Sequence, residues 1–346
     1  MKGRVVVLDR WQGREVAALV VDGQLEDLLI DPAGDDPLRP GAILRGVVDR
    51  PVKGQGGVFV KLPDGSGFLR QVSGLAPGQR VIVQVTGATE PGKAAPVSLR
   101  VLFKSRHAIV TPGAPGLNVS RRLRDEGLRD DLQALATKAM QGAAADHGLI
   151  LRSACEAASD EEIAEDILAM RDLAAAVMAD LSGGPELLVE APGAHETAWR
   201  DWADPAPDEV DDSAGAFASH AIDDLVDALR SPVVALPAGA SMIIEPTRAL
   251  LAVDVNTGPD TSLAAGLKAN IAAARDLPRQ LRLRGLGGQI TVDFAPMPKK
   301  DRGTLEQVLR AAFKGEASET TLAGWTPLGC FELQRKRDRP PLDSLL

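Results

Sequence analysis

Two aspartates in the last third of the chain are candidates for metal chemistry. Asp254 and Asp293 each close a short apolar run, ALLAVD and ITVD, and Asn256 follows the first by two residues. Neighbouring buried carboxylates repel each other, so they stay ionised only if a cation neutralises them. A hard divalent ion such as Mg²⁺ fits, because it fills its other positions with water and substrate phosphate. Asn256 could orient a phosphate oxygen or the attacking water.

The elements around these residues predict a βαβ unit. Apolar, β-branched runs at 249–255 and 289–294 predict two buried strands, and a helical pattern at 262–284 lies between them. A right-handed crossover makes the strands parallel, so both aspartates come at carboxyl ends, where open α/β sheets place their sites. The alternative is that each aspartate only caps the turn or helix that follows. Taken as a pair with basic neighbours, they favour a metal site.

Basic side chains cluster in sequence around the proposed site. They are Arg275, Arg279, Arg282, Arg284, Lys299, Lys300, Arg302, Arg335, Lys336, Arg337 and Arg339. A solvated charged surface is the simpler interpretation of such a set. Proximity to a proposed metal favours phosphate contacts instead.

The net charge of −9 hides an uneven distribution. Residues 155–230 contain 20 acidic and 3 basic side chains, which leaves 28 acidic and 36 basic ones elsewhere. Composition therefore does not exclude a nucleic-acid partner. Two cysteines form neither a disulfide framework nor a paired-cysteine zinc signature. No apolar run approaches the ~20 residues of a membrane span, and the early charges argue against a signal peptide, so we expect a cytoplasmic protein.

Short strands with turn residues between them fill residues 40–103, a pattern typical of a small barrel such as an OB-fold. Phe59 and Phe68 fall on consecutive strands of this segment. Two interpretations stay open: both rings are barrel core, or they form a platform on which nucleic-acid bases stack. Lys61, Arg70 and Lys93 are the nearby cations of the second interpretation.

The segments on either side of the predicted barrel show strand and helix patterns. Strand-like runs occupy 1–39, and helical periodicity appears at 123–140 and 160–181, with Ser159 as the predicted N-cap of the second helix. Residues 184–215 are rich in Pro, Gly and Asp, and we expect a loop or a trimmed element there. A helix is predicted again at 216–229.

The chain resembles the ribonuclease E/G family. RALLAVDVNTG at 248–258 and RQLRLRGLGGQITVDFAPM at 279–297 are similar to the family's catalytic core, with its Asp-x-Asn turn, Arg-rich helix, Leu-Gly-Gly and strand ending in Asp-Phe. VDGQLEDLLI, LNVSRRL and GLILRSA follow the family's order upstream. The resemblance covers nearly the whole chain.

The resemblance implies an α/β fold of mixed, multi-subdomain type. It comprises an RNase-H-like layer split between 1–39 and a shortened 184–232, an OB-fold RNA-binding barrel at 40–103, a 5′-sensor region at 104–183 and a DNase-I-like catalytic subdomain at 233–346.

The resemblance also implies roles for individual residues. Asp254 and Asp293 become Mg²⁺ ligands, or Mn²⁺ ligands, with Asn256 as their supporting catalytic partner. The implied RNA-binding residues are Phe59, Phe68, Lys93, Arg121 and Arg122. Arg152 and Ser153 would hold a 5′-monophosphate, with Ser153 in place of the family's usual Thr.

Several positions depart from the family pattern. The family's Cys-x-x-Cys zinc link is absent from this sequence, so zinc is not expected, and we expect a monomer or a dimer not built on a zinc link. Arg248 stands where the family commonly has an acid, and Pro278 should kink its helix or cost stability. Lys104 and Ala108 also differ from the family's sensor pocket.

The leading hypothesis is a Mg²⁺-dependent endoribonuclease that cleaves single-stranded RNA to 5′-phosphate and 3′-hydroxyl ends, in RNA processing or decay. The first alternative is a non-catalytic RNA-binding or scaffold relative, but mere binding does not need two carboxylates beside a phosphate. The second is a metal-dependent hydrolase of small phosphoesters, which leaves the barrel and its phenylalanines without a use.

Overall fold

The computed structural model describes residues 2–52 and 56–346, which form two compact units. The first unit contains the residues up to Asp22 together with Leu29–Asp212, and the second contains Gly23–Leu28 and Ser213–Leu346. No helix of the described ranges is both long and apolar enough to cross a membrane.

The first unit is mostly β-structure. Its strands are β1 (Arg4–Trp11), β2 (Arg14–Val21), β3 (Gln24–Ile30, shared with the second unit), β4 (Ile43–Val52), β5 (Gly57–Leu62), β6 (Gly65–Arg70), β7 (Arg80–Val85), β8 (Ala95–Ser98), β9 (Phe103–Lys104), β10 (Ala108–Thr111), β11 (Gly116–Val119), β12 (Gly148–Leu151), β13 (Glu186–Val189) and β14 (Glu209–Asp211). Its helices are α1 (Glu126–Ala139), α2 (Asp160–Ala179) and α3 (Ala194–Asp201).

Strands β4 to β8 form a closed five-stranded barrel, consistent with an OB-like fold. The order is β4-β5-β6-β8-β7, and β7 pairs back onto β4 to close the ring. Alternate residues of these strands, such as Val58, Val60 and Leu69, fill the interior. Closure leaves few unpaired backbone groups at the strand edges. The barrel predicted for 40–103 is therefore present.

A second sheet of the first unit, in the order β11-β12-β10-β9, packs against α1 and α2. Helix α2 begins as predicted: the Ser159 hydroxyl accepts from the Glu162 amide, and the Glu162 carboxylate accepts from the Ser159 amide. This reciprocal cap satisfies two N–H groups that have no partner within the helix.

Residues 184–215 were expected to form a loop or a trimmed element, and they contain two short strands and a helix. They carry β13, which pairs with β4, then α3, then β14, which pairs in parallel with β1. Helix α3 is held by Ala194, Ala198 and Trp202, which are buried against β1 and β2. The sequence pattern missed α3 because its apolar residues are few and stand among Pro, Gly and Asp.

The second unit is built on one six-stranded sheet. Its strands are β15 (Val233–Ala235), β16 (Ser241–Pro246), β17 (Leu251–Asn256), β18 (Gly288–Asp293), β19 (Thr320–Trp325) and β20 (Phe331–Arg335), in the order β15-β16-β17-β18-β20-β19. Its helices are α4 (Ala216–Ser219), α5 (Ile222–Leu229), α6 (Leu263–Leu283) and α7 (Arg302–Phe313).

Helices α6 and α7 cover one face of this sheet. Buried side chains of β16, β17, β18 and β20 form one apolar cluster with both helices. Strands β17 and β18 are parallel and joined through α6, which confirms the predicted βαβ unit. One local expectation changes: the helix predicted at 216–229 is broken at Ala221, whose φ is +53°. Helix α6 includes Pro278, so the predicted kink or cost in stability at that residue stays a prediction.

Candidate active site

Asp254 and Asp293 are direct partners across strands β17 and β18. Both are exposed, whereas their neighbours Val253, Val255 and Val292 are buried on the opposite face. Side chains alternate between the faces of a sheet, and the residues of a register pair lie on the same face. The two carboxylates therefore lie side by side on the face that α6 and α7 leave exposed.

Asn256 belongs to the same arrangement. It lies two residues beyond Asp254 on β17, and its Nδ2 donates to Asp254 Oδ2 over 2.7 Å. This bond fixes one carboxylate oxygen and leaves the other available. The structure thus brings together Asp254, Asn256 and Asp293.

A cleft of about 260 Å³ opens beside both aspartates. Glu245 of β16 and Thr291 of β18 also line it, and the sequence analysis missed both. Glu245 lies on the same face because its strand partner is Ala252, two residues before Asp254. Alternation within 241–246 could have signalled this placement, but only once the pairing of β16 with β17 was known.

The donor set suits a hard cation that binds few protein ligands. Among residues 2–52 and 56–346, no Lys, Arg or His nitrogen lies within 4.0 Å of either aspartate carboxylate. The same ranges contain no group of three or more His, Cys, Asp or Glu side chains placed to hold a metal. Two carboxylates with open space beside them fit Mg²⁺, which keeps most of its waters. They do not fit a closed structural zinc site.

Cys330 lies close to this pair. Burial, followed by the charges of Asp293 and Glu332, raises the pKa of its thiol. The thiol is therefore held in its neutral form beside the carboxylates at neutral pH.

Five of the eleven basic side chains are engaged within the second unit, which corrects the expected phosphate contacts for these five. Arg282 and Arg335 both donate to the buried carboxylate of Glu316. Arg279 donates to Asp276 and to the Leu25 carbonyl. These guanidinium groups are already satisfied inside the unit.

Arg339 is also ion-paired within the second unit. Its guanidinium binds both oxygens of Asp27, at 2.5 and 3.1 Å. Burial raises the pKa of Asp27, but the charge and hydrogen bonds of Arg339, with the charge of Arg282, bring it below its usual value. Arg284 is buried and donates to Gln280 and to the Ser231 carbonyl.

A few cations of the second unit do reach solvent. Lys299, Lys300, Lys336 and Arg337 are exposed. Arg302 lies over the ring of Trp325, 4.4 Å from its centroid. Arg275 is exposed as well.

The barrel presents its two phenylalanines outside its core. Phe59 and Phe68 are register partners on β5 and β6, half-buried, with ring centroids 5.2 Å apart. Arg50 lies 5.7 Å from the Phe59 ring. Gly57 makes room for this pair, because a Cβ there would lie 2.3 Å from Phe68 Cζ. Both rings therefore lie outside the barrel interior, and their role in stacking bases stays a prediction.

The basic side chains near Phe59 and Phe68 are exposed, and their ion pairs are weak. Lys93 pairs with Glu90 at 2.7 Å, and Lys61 lies 3.7 Å from Asp49. Arg70 is exposed at the end of β6. Such surface pairs contribute little stability, so a phosphate can compete for these lysines.

The predicted 5′-phosphate residues have protein partners. Arg152 follows β12 and donates to Asp201, and Ser153 and Arg122 lie against Asp204. Arg121 is exposed. The sequence analysis did not single out either aspartate.

The closed OB-like barrel, the βαβ unit and the pair of exposed carboxylates together define a mixed α/β protein. The sequence model of the Ribonuclease E/G family matches residues 103–211 and 208–338. This chain belongs to that family.

Named relatives agree with this assignment. The chain is 28% identical over 393 residues to Ribonuclease E of Nostoc sp., with 97% of this chain and 56% of the relative covered. It is 26% identical over 401 residues to Ribonuclease E of Synechocystis sp., covering 100% and 58%. It is 28% identical over 321 residues to Ribonuclease G of Escherichia coli, covering 80% and 64%. The matched part is thus between about half and two thirds of each relative's length.

Proposed function

We propose that this chain is a Mg²⁺-dependent endoribonuclease that hydrolyses single-stranded RNA to 5′-phosphate and 3′-hydroxyl ends, in RNA processing or decay. Family membership supports the ribonuclease assignment. The arrangement of Asp254, Asn256 and Asp293 supports the chemistry, since these three side chains share one exposed face of the sheet.

Asp254 and Asp293 are the residues that would hold the ion. Bound there, Mg²⁺ would lower the pKa of a water and offset negative charge on the scissile phosphate. Mn²⁺, which prefers the same oxygen ligands, should substitute. Asn256 holds Asp254 in one orientation through its 2.7 Å hydrogen bond.

RNA binding is assigned to the barrel of the first unit. Phe59 and Phe68 offer ring faces to two bases, a contact worth about 1–3 kcal/mol per base. Lys93, with Arg121, would contact phosphates. Such contacts release counterions, so affinity should fall as salt concentration rises.

The pairing of Asp254 with Asp293 is the observation that carries this proposal, and substituting each aspartate tests it. A single-stranded RNA is incubated with the wild-type protein in Mg²⁺ or in chelator, and with Asp254→Asn and Asp293→Asn. Internal cuts that require Mg²⁺ and disappear in both variants are the expected result. Asp224→Asn, an exposed carboxylate of α5, is the matched control and should cleave normally.

Two results would contradict the proposal. RNA binding without cleavage, equal in wild type and variants, would indicate a non-catalytic binding relative. Hydrolysis of small phosphoesters with no dependence on RNA length would indicate the small-substrate hydrolase.

A further inference from the structure

Arg284 is a buried guanidinium without a carboxylate partner. It caps the C-terminus of α6 and is 8% exposed. Its Nη1 donates to the side-chain oxygen of Gln280, and its Nη2 donates to the Ser231 carbonyl over 3.1 Å. Within residues 2–52 and 56–346, no carboxylate oxygen lies within 4.0 Å of its guanidinium nitrogens. Both acceptors are neutral, so no direct contact balances the positive charge.

Burial makes this unbalanced charge unfavourable. Burial is the main cause that lowers the pKa of Arg284; the charges of Asp276 and Asp343 oppose this effect, and that of Arg279 adds to it. The group stays protonated at neutral pH, because arginine is not deprotonated in proteins. An anion that reaches this guanidinium would therefore stabilise it.

Arg284 can be reached, because it lines a pocket of about 400 Å³ in the second unit. Small-molecule sites usually have volumes of about 300–1,000 Å³. Gln280 and Ser231 occupy only two of the five guanidinium N–H groups, so others remain to donate. The Ser231 hydroxyl also lines the pocket; it accepts from the Val233 amide, and its hydrogen has no acceptor in the part of the chain that the structure describes. N–H and O–H donors thus lie side by side in the pocket.

Apolar side chains form much of the remaining wall. They are Leu229, Pro232, Ile244, Leu286, Pro341 and Leu342. Gly285 allows the segment 340–342 to approach, because its φ is +60° and a Cβ there would lie 2.1 Å from the Pro340 carbonyl oxygen. The Leu342 amide then donates to the Arg284 carbonyl over 3.0 Å. These contacts make the pocket a built part of the second unit.

The charged side chains of the lining determine which anion fits. Arg230 and Arg284 are opposed by the exposed carboxylates of Glu245 and Asp343, so the formal charge of the lining is zero. A phosphate dianion would be repelled by both carboxylates. A carboxylate carries a single negative charge and matches the planar guanidinium. An apolar body attached to it would be buried against the leucine and proline side chains.

We infer that this pocket binds a small organic carboxylate, whose oxygens accept from Arg284 and Ser231 and whose apolar part contacts the surrounding leucines and prolines. The site is distinct from the pair Asp254 and Asp293, although Glu245 lines both the pocket and the cleft beside that pair. Binding needs neither metal nor RNA, so the inference stands independently of the proposed function.

Two matched small molecules test the role of the charge. Benzoate carries a carboxylate, and benzamide has nearly the same shape without the charge. Each is titrated into the protein in the presence of chelator, with affinities measured by isothermal titration calorimetry. Benzoate should bind roughly tenfold or more tightly than benzamide, the usual effect of a hydrogen bond to a charged group. In NMR spectra of isotopically labelled protein, benzoate should also shift the arginine Nε–H signal that is missing from Arg284→Lys.

Two variants with matched controls locate the binding. Arg284→Lys keeps a positive charge but loses the planar fork, so it should weaken benzoate binding by roughly tenfold. Arg310→Lys, the same change at an exposed position of α7, should have no effect. Asp343→Asn removes a repelling charge and should tighten benzoate binding by about two- to fivefold. Asp131→Asn, at an exposed position of α1 in the first unit, should leave the affinity unchanged.

Several results would overturn the inference. They are equal affinities for benzoate and benzamide, tighter binding of inorganic phosphate than of benzoate, and no binding at about 10 mM benzoate. An unchanged benzoate affinity in folded Arg284→Lys would place the ligand elsewhere and would also overturn it. If Arg284→Lys does not fold, Asp343→Asn decides, and an affinity equal to that of Asp131→Asn would count against the site.

Discussion

Asn256 Nδ2 lies 2.7 Å from Oδ2 of Asp254, two residues away on the same face of β17. Because the bond fixes the carboxylate, its loss should weaken metal binding and chemistry more than RNA binding. We predict that Asn256→Ala lowers the cleavage rate by about 10- to 100-fold at constant RNA affinity, the usual effect of removing a group that orients a metal ligand. Single-turnover cleavage and RNA titration measure the two effects separately. Gln334→Ala removes an exposed amide from β20 and should leave the rate unchanged.

Substituting Phe59 or Phe68 should weaken RNA binding without lowering the stability of the protein. Phe59→Ala or Phe68→Ala should each weaken RNA binding by roughly 5- to 150-fold, because each removes one stacking face. The melting temperature should change little, since both rings lie outside the barrel's buried cluster. Leu181→Ala, which shortens another exposed apolar side chain of the first unit, is the control. A large drop in melting temperature with unchanged affinity would assign the rings to the core.

Substituting Glu316 should lower the stability of the protein by a large amount. It is the shared acceptor of Arg282 and Arg335, and Arg335 is only 2% exposed. Glu316→Gln should destabilise the protein by about 3 kcal/mol, because it leaves the buried guanidinium of Arg335 without its counter-charge. Urea unfolding measures the change. Glu319→Gln, an exposed acid nearby, should differ from wild type by less than about 0.5 kcal/mol.

The Asp27–Arg339 pair predicts a particular pH dependence of stability. Burial opposes ionisation of Asp27, but Arg339 and then Arg282 lower its pKa below the ordinary 3.8. A lowered carboxyl pKa stabilises the folded state above the unfolded-state pKa, and this contribution is lost as pH falls through the folded-state pKa. Asp27→Asn should therefore be less stable than wild type at pH 7, and the difference should shrink below about pH 4. Unfolding free energies across this range, with Asp64→Asn as an exposed control, test the prediction; a difference independent of pH would contradict it.

Local patterns were sufficient to predict that Asp254 and Asp293 come together, but not that Glu245 and Thr291 lie beside them. The apolar runs ending in Asp254 and Asp293, together with the handedness of the crossover, required both residues to come at one edge of a sheet, and the register pair confirms this. The barrel strands were predictable because turn residues separate one strand from the next.

Hydrogen-bond and ion-pair partners that lie far apart in the sequence were not predictable. Arg282 has the sequence context of a phosphate ligand, but its acceptors include the Glu26 carbonyl, 256 positions earlier. Asp201 and Asp204 lie in a segment whose composition favours a loop. Their ion-pair partners are Arg152 and Arg122, which other elements position.

The exposed face of the second unit's sheet has a topological consequence. Asp254, Asn256 and Asp293 lie on the side opposite α6 and α7, and they are exposed there. A strand of RNA can lie across an open surface at any point along its length, whereas a closed pocket admits only an end. Under the proposed function, a covalently closed circle of single-stranded RNA should therefore be a substrate, and its first product should be a linear molecule of unchanged length.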